Sequence, residues 1–341
     1  MKASNIVRAI VGIWLSGKTP VLLGAPGIGK SDIIKLAVKT YADMIQQDMA
    51  LKVFRGSYCD PVDLRGLPEV KNGVTTYTMP GELPNAKRDG DFGCLFLEEM
   101  GQTAPATQAA MMELLLERTI ANYSLPPHWV VAGAANRAGD KAGSIRLNTA
   151  IENRVVFLDL EVDLDDWLKW AIPAGVRAEV MAFLRYRPHL IHDFDPKKST
   201  MAYPTPRSWE TVSRLIDGLE KLGGDNGAIE YDIMSGAVGE GAAGELVAFL
   251  RIFRELPDPD LILMDPSKAD MPSSPAVLYA LCGALAARVT YNSWQRFIDY
   301  VQRMPTEFAV LAMQDALKRN PDFTSTKEFI AWVSKNKDVI L

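Results

Sequence analysis

Hydrophobic and polar positions follow two different patterns through about residue 162 of the chain. Apolar residues at helical spacing predict helices that begin near Ser4 and that cover residues 33–45 and 105–118. Short uninterrupted apolar runs between turn residues predict buried strands, and these lie at residues 20–23, 51–58, 94–97, 129–134 and 155–160. Strands separated by helices are typical of a doubly wound sheet. We therefore predict an α/β fold with a mostly parallel, five-stranded sheet.

The pattern becomes purely helical after that point, because successive apolar stripes follow one another without a strand between them. Helices are predicted over residues 166–172, 177–185, 208–222 and 244–253. Residues 256–275 are rich in Pro and Asp, which predicts an extended connector before further helices. We therefore divide the chain into an α/β core (residues 1–162), a helical domain (163–255) and a C-terminal helical extension (256–341).

Composition narrows the class of protein. Of the 341 residues, 48% are hydrophobic and 23% are charged, which is ordinary for a globular protein. Three widely spaced cysteines exclude a disulfide framework and fit a reducing, cytoplasmic location. A net charge of −5 excludes the basic overall surface of generic nucleic-acid binders. No apolar run reaches ~18 residues, so we expect no membrane insertion.

A phosphate-binding motif opens the second predicted helix. Residues 24–31 read GAPGIGKS, which matches G-x-x-x-x-G-K-[ST] and lies between a predicted strand and a predicted helix. Glycines let the backbone N–H groups converge on a triphosphate, while the helix N-terminus favours negative charge. Lys30 is expected to reach the β- and γ-phosphates, and the Ser31 hydroxyl to ligate Mg²⁺. The residues expected to bind the nucleotide are Gly24, Ala25, Pro26, Gly27, Ile28, Gly29, Lys30 and Ser31.

Two carboxylates end the third predicted strand. The run CLFLEE places Glu98 and Glu99 at the carboxyl edge of the sheet, where open α/β sheets bind ligands. One carboxylate can support Mg²⁺ and the other can orient and polarise the attacking water. We assign Glu98 to the metal and Glu99 to the water. A solvated acidic turn is the alternative interpretation of such a pair standing alone.

Three further polar residues are candidates for catalysis. Asn136 follows the fourth predicted strand, where it can position the attacking water or the γ-phosphate. Arg154 opens the fifth strand. Arg207 lies in the first turn of a helix that Thr205 is predicted to cap, where the helix dipole disfavours a cation. A cation at this unfavourable position indicates a functional role for Arg207, such as contact with a nucleotide phosphate. The alternatives are a turn residue for Asn136 and surface ion pairs for the arginines.

The order of these motifs resembles the AAA+ ATPases and, within them, the MoxR family. The stretch LFLEEMGQTAPATQAAMMELLLERTI is similar to that family's Walker B segment and following helix, and PVDLRGLPEV (residues 61–70) resembles its segment after the second strand. By this resemblance, residues 24–31 are Walker A, Asn136 is sensor 1 and Arg207 is sensor 2. Arg154 falls at the arginine finger, which acts in trans and implies a ring, usually a hexamer.

The resemblance also implies two hairpin insertions, for which residues 66–84 and 119–127 are the candidates. It implies that the helical domain is a lid that moves against the core. The chain departs from the family at Glu98, where the family has Asp, so slow hydrolysis is one expectation. Arg137 and Arg146 are rivals of Arg154 for the finger.

The function implied by the resemblance is that of an ATP- and Mg²⁺-dependent ATP hydrolase acting as a chaperone-like remodeller. Such proteins work with a partner that bears a von Willebrand factor A domain and help to activate or assemble a client complex. One alternative is a nucleic-acid motor or loader, against which the acidic net charge counts. The other is an ATP-dependent scaffold with weak hydrolysis, which Glu98 keeps open.

Overall fold

The structure is a computed structural model that describes residues 1–140, 154–197, 201–223 and 226–336. The chain forms two compact units. Unit 1 comprises Met1–Asp163 and Phe194–Ser199, and unit 2 comprises Leu164–Asp193 and Thr200–Leu341. The division of the chain into residues 1–162, 163–255 and 256–341 stays a prediction.

Unit 1 is an α/β layer structure around one parallel sheet. Its strands are β1 (Pro20–Leu23), β2 (Ala50–Arg55), β3 (Pro68–Lys71), β4 (Val74–Tyr77), β5 (Phe92–Glu98), β6 (Thr119–Ile120), β7 (Tyr123–Ser124), β8 (His128–Ala135) and β9 (Val156–Asp159). Its helices are α1 (Ala3–Leu15), α2 (Lys30–Ile45), α3 (Pro61–Arg65), α4 (Ala86–Asp89) and α5 (Pro105–Glu117). The main sheet has the order β2-β5-β8-β1-β9, and all its pairings are parallel. The predicted fold class, a mostly parallel five-stranded α/β sheet followed by a helical region, is confirmed.

The central strands are apolar throughout because both faces of the sheet are covered. Along β5, Cys94 and Phe96 pack in the layer of α1 and α2, whereas Leu95 and Leu97 pack in the layer of α5. All four side chains are buried. Continuous burial of this kind explains why the sequence shows uninterrupted hydrophobic runs at these strands rather than an alternating pattern.

Two local predictions were wrong, and one helix was not predicted. The strand predicted over residues 51–58 ends at Arg55, because Gly56–Tyr58 forms a 3₁₀ turn that packs against Thr103. The connector predicted over residues 256–275 contains a helix, α11 (Pro259–Met264), whose first turn is capped by the Asp258 side chain. Helix α9 (Gly227–Val238) was not predicted, because its buried positions form only a thin stripe that includes a glutamate.

Both segments proposed as insertions contain an antiparallel hairpin. Strands β3 and β4 pair within residues 66–84, and β6 and β7 pair within residues 119–127. Asn72 and Gly73 both have a positive φ, 52° and 75°, as the two central residues of a type I′ hairpin turn require. Leu67, Val70 and Val74 of the first hairpin region are all more than 60% exposed.

In the described residues of unit 2, all the regular secondary structure is helical. Besides α9 and α11, its helices are α6 (Leu164–Ala171), α7 (Ala178–Tyr186), α8 (Pro206–Leu222), α10 (Glu240–Arg254), α12 (Pro275–Arg288), α13 (Trp294–Val301), α14 (Thr306–Arg319) and α15 (Lys327–Lys335). A core of stacked aromatic rings, including Trp294, Phe297 and Phe323, joins its C-terminal helices. Across the described parts of both units, no helix combines the length and hydropathy that spanning a membrane requires.

A buried ion pair links α7 to α14 inside unit 2. Arg185 donates two hydrogen bonds to the carboxylate of Asp315, and the two side chains are only 8% and 5% exposed. Burial raises the pKa of the Asp315 carboxyl, while the arginine opposes that shift. Removing one partner therefore leaves a buried charge without compensation.

We expect Asp315→Asn to lower the free energy of unfolding by about 3–5 kcal/mol, measured by urea denaturation. The matched control is Asp260→Asn, because the ion pair between Asp260 and Arg288 is exposed on both sides and its loss costs at most about 1 kcal/mol. Replacing both partners, as in Arg185→Met with Asp315→Leu, should restore most of the stability. If Asp315→Asn and Asp260→Asn lowered the free energy of unfolding equally, the result would contradict a structural role for the buried pair of Arg185 and Asp315.

Candidate nucleotide-binding site

The loop after β1 has the shape of a phosphate cradle. Gly27 and Gly29 have φ values of 77° and 91°, in the left-handed region that favours glycine. Gly29 is also the N-cap of α2, and no side chain caps this helix. A Cβ at Gly24 would lie 2.5 Å from Ile28 Cδ1, so the loop is tightly closed on itself. Because no side chain caps α2, the N–H groups of its first turn are the groups that would bind an anion.

Lys30 and Asn136 meet at this loop. The Lys30 ammonium donates hydrogen bonds to the carbonyl oxygens of Gly24 and Ala25, at 2.7 and 2.8 Å, and to Asn136 Oδ1 at 2.8 Å. Asn136 reaches the loop because β8 lies beside β1, with Ala135 opposite Leu23. The ends of β1 and β8 thus bring Lys30, which is predicted to bind phosphate, into direct contact with Asn136, which is predicted to position the water.

The two residues assigned to the metal are also in contact. The Ser31 hydroxyl donates a hydrogen bond to Glu98 Oε1, at the end of β5. A hydroxyl and a carboxylate are the hard oxygen ligands that Mg²⁺ prefers, and the Ser31 oxygen can offer a lone pair to a metal while its O–H group still donates a hydrogen bond to Glu98. Within the described ranges, no cluster of three or more His, Cys, Asp or Glu side chains could hold a metal. The donor set therefore fits an ion held by few protein ligands and by phosphates, as is usual for Mg²⁺.

Arg55 is a site residue that sequence reasoning missed. Strands β2 and β5 pair with Arg55 opposite Glu98, so both side chains lie on the same face of the sheet. Arg55 Nε lies 3.0 Å from Glu98 Oε2. The pKa of the Arg55 guanidinium is raised, first by this hydrogen bond and then by the field of the carboxylate.

The candidate base, Glu99, has an unusual backbone and a side-chain partner. Its φ of 60° and ψ of 32° are left-handed, which costs a non-glycine residue about 1–2 kcal/mol. Thr103 Oγ1 holds this conformation by donating to the Glu99 carbonyl oxygen at 2.8 Å. The hydroxyl of Ser57 donates to Glu99 Oε2. Ser57, which follows the end of β2, is the second residue that the sequence did not single out.

Two of the candidate finger residues, Arg137 and Arg154, lie at opposite ends of the parallel strands. Arg137 stands at the phosphate-loop edge, with Nε 2.9 Å from Asp159 Oδ1 and Nη2 2.8 Å from the Leu160 carbonyl oxygen. Arg154 precedes β9, whose residue Val156 pairs with Pro20 at the start of β1. Its Nη1 atom lies 3.4 Å from Glu117 Oε1, and both side chains are exposed. Arg146 lies outside the described residues.

Arg207 occupies the helical position that the sequence predicted. Thr205 caps α8 by accepting a hydrogen bond from the Ser208 N–H group at 3.0 Å, and Pro206 is the first helical residue. Arg207 is therefore the second residue of α8, and it is exposed. Because it belongs to unit 2, its contact with a nucleotide phosphate stays a prediction.

Comparisons with known proteins return solved structures only. No protein-family model matches the chain, and no curated protein matches it. One similar structure is that of a Cytophaga hutchinsonii protein that has been named provisionally as an ATPase. The two sequences are 14% identical and the TM-score is 0.35. The alignment covers 92% of this chain and 79% of the Cytophaga hutchinsonii chain. Another is the Thermotoga maritima RuvB Holliday junction branch migration motor; it is 14% identical, with a TM-score of 0.37, over 88% of this chain and 86% of that one. Neither likeness carries a functional argument, and the fold class rests on the strand order and on the phosphate loop after β1.

Proposed function

We propose that the protein binds ATP with Mg²⁺ and hydrolyses it. The observation that carries this proposal is the hydrogen bond between Ser31 and Glu98, 67 residues apart in the chain. It joins the last residue of a phosphate-binding loop to a carboxylate at the end of a neighbouring strand. A loop that matched the motif by chance would have no reason to meet an acidic strand end at this point.

The chain's own groups divide the reaction between them. The N–H groups of the loop and of the first turn of α2 bind the phosphates, and the Lys30 ammonium exchanges loop carbonyls for phosphate oxygens. Ser31 and Glu98 would hold Mg²⁺, which would neutralise charge on the phosphates. Water attacks the γ-phosphorus while the bond to the ADP oxygen breaks. Glu99 accepts the proton of that water, and the Asn136 side chain orients it.

The arginine finger is the part of the site that a single chain does not supply. Arg154 lies two residues before β9 (Val156–Asp159), and β9 extends about 10 Å, three residues of strand rise, to the end that adjoins the phosphate loop. This position, at the opposite end of the strand from the phosphate loop, supports a role at the nucleotide of a neighbouring copy rather than at its own. We propose a ring of identical subunits, with six as the expected number.

The finer proposal is a MoxR-type remodeller that acts with a von Willebrand factor A domain partner on a client complex. It rests on the resemblance of residues 61–70 and of the segment from Leu95 onward, and the exposed apolar hairpin β3–β4 supports it as a surface for protein contacts. Pull-down from the native host should recover such a partner. Recovery of nucleic acid alone, together with hydrolysis stimulated by DNA or RNA, would replace this proposal with the motor.

Glu99→Gln tests the hydrolase itself. Because Gln cannot accept the proton of the attacking water, we expect phosphate release to slow by about 10²-fold. Nucleotide affinity should stay within about threefold, because the partner of the Glu99 carboxylate is Ser57, which lies outside the phosphate loop. The control is Glu113→Gln, which removes an exposed carboxylate paired with Arg65 in the same unit. Equal turnover in wild type and Glu99→Gln would leave a nucleotide-dependent scaffold as the function.

A further inference from the structure

Both oxygens of the Glu98 carboxylate have a partner. Oε1 accepts the hydrogen bond of the Ser31 hydroxyl, and Oε2 accepts that of Arg55 Nε at 3.0 Å. The Glu98 side chain is 15% exposed, whereas the Arg55 side chain is 60% exposed. The carboxylate is thus held between the phosphate loop on one side and the neighbouring strand on the other.

We propose that Arg55 is a positioning residue that aims the Glu98 carboxylate at the Ser31 hydroxyl and the metal. The inference rests on the proposed function, in which Glu98 supports Mg²⁺. A glutamate has one more rotatable bond than an aspartate, so its carboxylate needs a second anchor to keep one orientation. Arg55 supplies that anchor from the adjacent strand, at the position directly opposite Glu98.

Arg55 acts on Glu98 more by fixing the direction of its carboxylate than by attracting its charge. Solvent screens an arginine that is 60% exposed, so its Coulomb attraction for Glu98 is weakened. A guanidinium N–H group still fixes a direction in space, because its donors lie in a rigid plane. Arg55 also lies in the field of Glu99, so its charge offsets some of the repulsion between the two adjacent carboxylates.

A purely structural role in joining the strands does not account for Arg55. Strands β2 and β5 pair through six residues on each side, from Ala50 opposite Gly93 to Arg55 opposite Glu98. The backbone ladder holds the strands without any side-chain bridge. Beyond this last pair the chain leaves the sheet in the 3₁₀ turn, so the Arg55 side chain ends at the site and not in the core.

The test is a double-mutant cycle of Arg55→Gln and Glu98→Asp, with Mg²⁺ titrations of turnover in all four proteins. In the wild-type background, Arg55→Gln should lower kcat about tenfold and raise the half-maximal Mg²⁺ concentration severalfold, as loss of a partner behind a metal ligand does. In the Glu98→Asp background, the same change should have less than a twofold effect. The shorter side chain withdraws its carboxylate by about 1.5 Å, beyond hydrogen-bond reach of Arg55.

Two outcomes would overturn the inference: no effect of Arg55→Gln in the wild-type background, or the same loss in both backgrounds. Arg65→Gln is the control, since Arg65 is a half-exposed arginine of the same unit whose partner, Glu113, lies outside the site. If the wild type releases no phosphate at all, hydrolysis fails as a proposal, and the cycle is then measured as Mg²⁺-dependent affinity for a fluorescent ATP analogue. Arg55 should show the same background dependence there, and its absence would reject the positioning role by itself.

Discussion

Lys30→Ala is expected to weaken nucleotide binding by about 10³-fold. Its ammonium lies inside the phosphate loop, held by two loop carbonyls and by Asn136 at 2.7–2.8 Å. On binding, it becomes the charged partner of the phosphates in a partly buried place. Truncating one member of such a charged pair weakens the binding free energy by about 4 kcal/mol, which corresponds to a rise in Kd of about 10³. A titration with a fluorescent ATP analogue measures that change directly.

The matched control for this substitution is Lys35→Ala. Lys35 is carried by the same helix, but it is 60% exposed and pairs with Asp32 at 2.9 Å. Its removal takes away the same net charge without touching the loop, so Kd should change less than about twofold. If Lys30→Ala left the nucleotide affinity and the unfolding transition unchanged, the result would contradict phosphate binding by this loop. The roles proposed for the other residues around the loop would then fail as well.

The strands were predictable because the core of this sheet is buried on both faces. Residues such as Leu95 and Phe96 belong to opposite layers, yet both are apolar, and this produces runs that no surface segment would show. The phosphate loop was equally visible, because its chemistry is contained in eight consecutive residues. Local information of this kind was sufficient to predict the fold class and to select Lys30 and Ser31 as candidates.

Arg55 and Ser57 could not be predicted from the sequence, because their function depends on strand register. Arg55 is 43 positions from Glu98, and only the pairing of β2 with β5 places them opposite each other. The uninterrupted strand predicted over residues 51–58 also concealed the turn that presents Ser57 to Glu99. A polar residue at the end of a predicted strand, the signal that indicated Glu98, did not indicate Arg55, because Arg55 lies inside the predicted strand that is adjacent to the acidic strand. The adjacency itself, however, comes from the topology.

Arg154→Ala is expected to leave nucleotide affinity nearly intact while lowering turnover by about 10³ or more. Its guanidinium is exposed at the edge of the sheet away from its own phosphate loop, where Glu117 is a weak, solvent-screened partner. Loss of that ion pair has little effect on stability, so a large kinetic effect would report a role at another subunit's nucleotide. Lys18→Ala, which removes an exposed cation near the start of β1 at the same edge, is the control for general charge.

Mixing two inactive variants decides whether the arginine acts in trans. Arg154→Ala subunits keep an intact Lys30, and Lys30→Ala subunits keep an intact Arg154. In a mixed ring, an Arg154→Ala subunit can therefore bind ATP and receive a finger from a Lys30→Ala neighbour, so phosphate release should recover above that of either variant alone. No recovery, in rings shown by mass measurement to be mixed, would mean that Arg154 does not act across the boundary. Normal turnover in Arg154→Ala together with loss in Arg137→Ala or Arg146→Ala would transfer the finger to one of those residues.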